Sequence, residues 1–285
     1  MNEARSIAVL AQRALLYEAV CQPKPGLVDP VSVGSHSDMT IFTFIDSSCE
    51  LLEDFEAFFI AGHQFEGTNL QVLFNNIRPL GIQAEANMLQ ATNGVNTHKG
   101  AIFSLGILLA AIGYLSKRNV LTDTEAIFEV VMKMTTHLMA DFEQLSDKPL
   151  ESLSNGEKLF LAHGLLGVRG QVSQGFPVVR NYSLPLLKRY GAINNENLLN
   201  VLMLILFYSE DSNLIKRAGD VTVLQWGQKQ VEEFFLLGGS KTKQGLEFLT
   251  EMNATFVHRN LSIGGTADLL IVTIFMYLIE TSILK

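Results

Sequence analysis

The sequence predicts an all-α protein: a single large helical domain over residues 1–285 whose polar, glycine-rich turns between helices converge on one cleft. Three observations carry this. Apolar residues recur every three or four positions in segment after segment, no stretch alternates at period two, and no repeat or low-complexity linker interrupts the 285 residues. With 48% hydrophobic residues and a mean hydropathy of +0.23, the chain has the side chains for a large buried core. A formal charge of −8 offers no basic field for holding nucleic acid, which is not an expected partner. Cys21 and Cys49 are too few for a disulfide framework and both lie in apolar helical patterns. They read as core thiols in a reducing, cytoplasmic setting. The N-terminus lacks the pattern of a signal peptide, and the apolar runs at 101–115 and 269–279 fall short of the roughly 20 residues that cross a bilayer, so no membrane is expected.

The opening helix places Ile7, Leu10, Ala11, Ala14, Leu15 and Glu18 on one stripe and must end before Pro23 and Pro25. A restrained loop follows, carrying Lys24, Asp29, His36 and Asp38. Two carboxylates within ten residues on such a loop can hold a hard cation such as Mg²⁺ through oxygen. Asp38 also reads as an N-cap for the apolar segment 41–60, whereas Asp29, between Val28 and Pro30, has no capping role to explain it. Thr68 can cap a helix through Leu70, Leu73, Phe74 and Ile77, which Pro79 kinks or restarts before the segment with Ile82, Glu85, Met88 and Leu89. A carboxylate on that stripe faces at least partly inward and then needs a cation, unless the position is a solvated edge.

Between this segment and the nearly continuous apolar run after Lys99 lies Asn93-Gly94-Val95-Asn96-Thr97-His98-Lys99-Gly100. A buried helix starting at Lys99 presents unpaired backbone N–H groups and partial positive charge, and the hydroxyl, imidazole and ammonium beside them suit a phosphate. The plainer alternative is that Thr97 caps the helix and Lys99 is solvated.

Thr122 to Glu125 and Ser154 to Glu157 match capping boxes and mark helix starts. The glycine-rich stretch from His163 to Gly170 surrounds Arg169, whose guanidinium fork suits a phosphate if it is not simply solvated. Asn194 or Asn195 caps an apolar helix at 198–208. Beyond it, Asp211 to Gly219 crowds acid, amide and base together, with Asp211 also able to cap a short helix. Gly238 to Thr242 superficially looks like a Walker loop, but Ser240 stands where glycine is required and no strand precedes it. Finally, Asn260 to Asp268 opens the last apolar helix and puts Asp268 in a first turn, where a carboxylate is favourable.

Read together, these stretches resemble the triphosphoribosyl-dephospho-CoA synthase family, enzymes that make the prosthetic-group precursor of citrate lyase and malonate decarboxylase. The carriers are Pro23 to Asp29, Gly34 to Met39, Gly94 to Gly100, His163-Gly164 through Arg169-Gly170, Asp211-Ser212-Asn213, and Asn260 to Asp268, six motifs in order along nearly the whole chain. Ile263 departs from the proline the family tends to have, and Gln171 from its acid, so position 171 is given no catalytic role.

The resemblance implies a pentosyl transferase whose substrates are ATP and 3′-dephospho-CoA. The 2′-hydroxyl of dephospho-CoA attacks C1′ of the ATP ribose, adenine leaves, and the triphosphate stays attached. Oxocarbenium character calls for a proton acceptor and a proton donor, and the triphosphate calls for Mg²⁺ and cations. On this reading Glu85 is the general base or cation stabiliser and His36 donates a proton to adenine. Asp29, Asp38 and Asp268 are the metal candidates. Lys24, His98, Lys99, Arg169, Lys216 and Arg217 contact phosphate, with Asn96 and Asn213 on ribose or phosphate and Asp211 in the same substrate-binding turn. Lys216 and Arg217 lie about 100° apart on a helix, so only one is expected to reach the site. The product would pass to a transferase that loads a carrier protein. The oligomeric state stays open, a homodimer among the options. Two other readings use the same residues: a metal-dependent all-α hydrolase of ribosyl bonds, like the helical ADP-ribosyl hydrolases, and a non-catalytic nucleotide-binding protein.

Overall fold

The computed structural model describes residues 3–139, 151, 153 and 155–284, and among the described residues it holds fourteen α-helices and no strand. They are α1 (Glu3–Val20), α2 (Ile41–Glu50), α3 (Leu52–Gln64), α4 (Leu70–Ala91), α5 (Lys99–Lys117), α6 (Thr124–Met134) and α7 (Asn155–His163). Then come α8 (Gly167–Ser173), a π-helical turn (Val179–Ser183) running into α9 (Leu184–Tyr190), α10 (Asn195–Tyr208), α11 (Ser212–Ala218) and α12 (Val223–Leu236). A 3₁₀ turn (Gly239–Lys241) leads to α13 (Lys243–His258) and α14 (Gly264–Ser282).

The core is built on α5 and α14, which are apolar on almost every side and pack against each other. Helices α3, α4 and α6 cover α5, while α1, α9 and α10 cover α14. The tightest approach is between α3 and α5. A Cβ on Gly62 would lie 1.9 Å from the Ala110 carbonyl oxygen, and one on Gly113 would lie 2.1 Å from that of Phe59. Backbone therefore meets backbone, and only glycine leaves the room. Contrary to the expectation from run length, α5 and α14 are each 19 residues and apolar enough to cross a bilayer, yet 72% and 67% of their apolar windows are buried among the other helices.

Several local expectations need correction. The segment 41–60 breaks at Leu51 into α2 and α3, and Thr40 with Thr43 forms the capping box of α2, so Asp38 is not its cap. Helix α4 runs unbroken through Pro79 and is capped by Asn69 instead of Thr68. Its inward stripe is Leu70, Leu73, Ile77, Ala84 and Met88, with Ile82 and Leu89 on the outside. Asp123, one residue past Thr122, caps α6, Asn194 caps α10 and Asp211 caps α11. The box starting at Ser154 lies outside the described residues. Cys21 is buried, its thiol pushed up to about 12 by burial, but Cys49 is exposed and is not a core thiol.

Candidate active site

The turn before α5 closes on itself first. Thr92 donates its hydroxyl to the carbonyls of Met88 (2.8 Å) and Val95 (2.5 Å), and Asn93 adopts a left-handed conformation. This brings Asn96 Oδ1 to the backbone N–H of Lys99 at 3.2 Å and sends His98 into the interior. There His98 Nδ1 meets Ser47 Oγ at 2.7 Å, and Ser47 Oγ accepts from Thr97 at 2.8 Å. Ser47 Oγ keeps a second lone pair, so either partner can donate in the bond to Nδ1. Burial, with Lys24 nearby, lowers the His98 pKa to about 3. A neutral imidazole does not supply the positive charge expected of it toward phosphate. Its Nε2 is buried without a hydrogen-bond partner, on the wall of a cavity.

The group that meets the start of α5 is one of the chain's own carboxyls. Asp268, in the second turn of α14 and not the first, accepts the backbone N–H of Ala101. Gly100 makes this possible, since a Cβ there would fall 2.0 Å from Asp268 Oδ2. Asp268 is half-buried and lines the cavity. Burial first, then the carboxylates of Asp211 and Glu18, raise its pKa well above the ordinary carboxyl range. Asp211 ties the starts of two helices together. Its Oδ1 accepts from the backbones of Asn213 (2.9 Å) and Leu214 (3.0 Å), and its Oδ2 from the backbone and hydroxyl of Thr266 (2.7 and 2.8 Å). Burial raises its pKa against these four bonds, and no acceptor capacity is left facing a ligand.

In the loop after α1, Lys24 is buried, with Nζ 2.5 Å from Glu18 Oε1 and 2.7 Å from the Glu18 carbonyl oxygen. Asp29 accepts from Lys24 N (3.2 Å) and from Val31 N and Ser32 N (both 2.9 Å), so its carboxylate closes the loop and does not line the cavity. That geometry removes the reason for counting it as a metal ligand. His36 receives Arg217 Nη2 at Nδ1 (3.2 Å) and therefore donates through Nε2 to Ser262 Oγ (3.1 Å). Burial and the Arg217 charge lower the His36 pKa, against the opposing effect of Asp38. A neutral ring with both nitrogens engaged does not suit the proton donor expected there. Arg217 also donates to the carbonyls of Ser35 (2.8 Å) and Asn260 (3.3 Å), fastening the loop to the turn before α14.

Two cavities follow from this arrangement. One, of about 660 Å³, is walled by Lys24, His36, Asp38, His98, Lys216 and Arg217. The other, of about 580 Å³, is walled by Gln171, Asn181, Tyr182, Tyr208 and Asp211. They share Asn96, Lys99, Gly100, Asn213 and Asp268, so they are the two lobes of one cleft that meet where α5 starts. Both Lys216 and Arg217 line the first lobe, where only one was expected. Glu85 and Arg169 do not join them, because both face a third cavity, of about 470 Å³. Glu85 reaches the cleft only through Lys99, whose Nζ lies 2.8 Å away. The proton-accepting role expected of Glu85 and the phosphate contact expected of Arg169 thus lack access to the cleft.

Among the described residues no three His, Cys, Asp or Glu side chains are grouped to hold a metal ion by themselves. Asp38 and Asp268 nevertheless line the same lobe, which fits a Mg²⁺ that keeps waters and is held by one or two carboxylates together with substrate phosphates. Sequence reasoning missed Glu18, Ser47, Ser262 and the tyrosines Tyr182 and Tyr208. Glu18 left a signal, an acid on the apolar stripe of α1 with Lys24 six residues on; the others left none.

The model of the family described as ATP:dephospho-CoA triphosphoribosyl transferase (CitG) matches residues 4–284. A probable 2-(5″-triphosphoribosyl)-3′-dephosphocoenzyme-A synthase of Lactiplantibacillus plantarum is 46% identical over 275 residues, covering 96% of each chain. Protein CitXG of Leuconostoc mesenteroides subsp. cremoris is 45% identical over 93% of this chain and 57% of its own. A probable synthase of the same description from Salmonella gallinarum is 38% identical over 94% of this chain and 88% of its own. No solved structure matches.

Proposed function

The chain belongs to the ATP:dephospho-CoA triphosphoribosyl transferase family, and from that premise we propose how its residues carry the reaction. The enzyme transfers the triphosphoribosyl group of ATP to the 2′-hydroxyl of 3′-dephospho-CoA. A bond forms between that oxygen and C1′ of the ATP ribose, the bond from C1′ to adenine breaks, the hydroxyl loses its proton, and adenine leaves with one gained.

A single observation supports placing the reaction in the cleft: two substrate-sized lobes meet at Asn96, Lys99, Gly100, Asn213 and Asp268. Two substrates lying one in each lobe bring a hydroxyl and an anomeric carbon together at the junction, which supplies the proximity a bimolecular transfer needs. Lys99, Lys216 and Arg217 neutralise the triphosphate, and Asn96 and Asn213 hydrogen-bond the riboses. Mg²⁺, when bound, screens the phosphate charge, and Asp268 and Asp38 would hold it. Glu85 orients Lys99, and His36 holds Arg217 against the Ser35 loop. Asp29 and Asp211 fix the two loops, the Lys24–Glu18 pair forms the floor, and His98 presents its Nε2 from the wall. The enzyme acts in the cytoplasm, and its product goes to a transferase that loads a carrier protein.

Chromatography of an incubation with ATP and Mg²⁺ tests this. Free adenine is expected only when dephospho-CoA is present, with a matching dephospho-CoA species heavier by one triphosphoribosyl group. Asp268→Asn should lower the rate at least about 100-fold if the junction carries the chemistry. Adenine release that ignores dephospho-CoA and yields free triphosphoribose would instead identify a hydrolase.

A further inference from the structure

Resting on the two-substrate reading above, we propose that the lobes sort the substrates by charge: dephospho-CoA lies in the lobe of Tyr182 and Tyr208, its adenine against that tyrosine pair, and the ATP triphosphate lies in the other. The charges are unevenly placed. The first lobe carries Lys216 and Arg217 besides the shared Lys99, its Lys24 being paired with Glu18, and Asp38 is its one carboxylate that is neither paired nor shared with the other lobe. Among the described residues lining the second lobe, the shared Lys99 is the one Lys or Arg, and Glu210 and Asp211 stand against any highly charged anion. A triphosphate is repelled there and attracted next door. Dephospho-CoA carries only a diphosphate, which can reach Lys99 at the junction, and its remaining length is an uncharged amide chain and a base.

The second lobe is made for such groups. Tyr182 and Tyr208 stack with ring centroids 3.7 Å apart and planes 9° from parallel, and they remain 39% and 43% exposed. A flat aromatic face open to a cavity is a platform for a base. Tyr182 is placed there by the π-helical turn Val179–Ser183, which turns Asn181 and Tyr182 to the lobe while Val179 and Ser183 stay buried, the latter bonded to Thr273 at 2.7 Å. A π turn weakens its helix and occurs most often where it positions side chains. Gln171, Gln174 and Asn181 add amides that pair with the amides of the pantetheine arm.

Steady-state kinetics with each substrate varied in turn tests the assignment. Tyr182→Ala and Tyr208→Ala should each raise the KM for dephospho-CoA about tenfold while the KM for ATP stays within about twofold, and Tyr182→Phe should restore most of the loss. A rise in the KM for ATP instead, or no change in either, overturns the assignment. Nitration of the wild-type enzyme gives a reading that no variant's folding affects. Modification of Tyr182 and Tyr208, mapped by mass spectrometry, should be slowed by dephospho-CoA and not by ATP; the reverse pattern, or none, overturns it. Failure of the family reading looks different, since the wild-type enzyme would then release no adenine with both substrates present.

Discussion

At the scale of the residue, His98 shows how a polar side chain on an apolar face is tolerated. It enters the core uncharged, fixed by Ser47 and flanked edge-on by Phe44 with ring centroids 5.1 Å apart. Its ordinary pKa of 6.5 falls to about 3 in the fold. Below 6.5 the unfolded chain takes up a proton that the folded chain refuses, so this contribution to stability is whole above that pH and is lost as the pH falls toward 3. The raised carboxyls Asp211 and Asp268 act in the opposite sense, because the folded chain keeps protons that the unfolded chain releases. The test is therefore a difference. His98→Asn keeps a group near Nδ1 for Ser47 but does not titrate, and denaturant melts should show the wild type losing about 2 kcal/mol more than the variant between about pH 7 and pH 5. Parallel losses would contradict a buried neutral His98. That certain polar residues are held by partners was legible in the sequence, because a charged group among apolar neighbours demands one, and Lys24, Asp211 and Asp268 each have one. The partner itself was not legible. Nothing local says that Asp29 spends its carboxylate on its own loop, or that Asp268 lies across from Gly100.

At the scale of the element, two glycines in α3 and α5 separate stability from function. Gly62→Ala would set a Cβ 1.9 Å from a backbone carbonyl on α5, where neither helix can yield without opening the core. The expected cost is about 1–3 kcal/mol of stability with turnover per folded molecule retained. Gly100→Ala pushes instead on the Asp268 carboxylate at the cleft junction. It should abolish most adenine release while moving the melting temperature less than Gly62→Ala does. Paired thermal melts and rate measurements check both, and the opposite pattern would mean that Gly100 serves packing alone. The helices themselves were readable from their apolar period, α1, α5 and α14 most plainly. Helix α4 was read in the wrong register because its inward stripe relies on Ala84, a weak signal, while Ile82 and Leu89 are apolar but outward. That error placed Glu85 toward the cleft, when it faces a separate cavity together with Arg169.

At the scale of the whole molecule, on the proposed reading a chain of net charge −8 handles two polyanions with Lys216 and Arg217 on one lobe, Lys99 at the junction, and tyrosines and amides on the other lobe. Turns far apart in sequence, from Lys24 to Asp268, reach that cleft because α5 and α14 start side by side at its centre. Convergence of polar turns was expected from the sequence. Its division into two lobes was not, since it depends on how the π turn and α11 pack against α14, which no local pattern encodes. The most direct measurement is a structure of the enzyme with dephospho-CoA and an ATP analogue that cannot release its base. The account predicts the ATP ribose and the 2′-hydroxyl facing each other at Gly100 and Asp268, one substrate in each lobe. Either ribose in the cavity of Glu85 and Arg169 would contradict it.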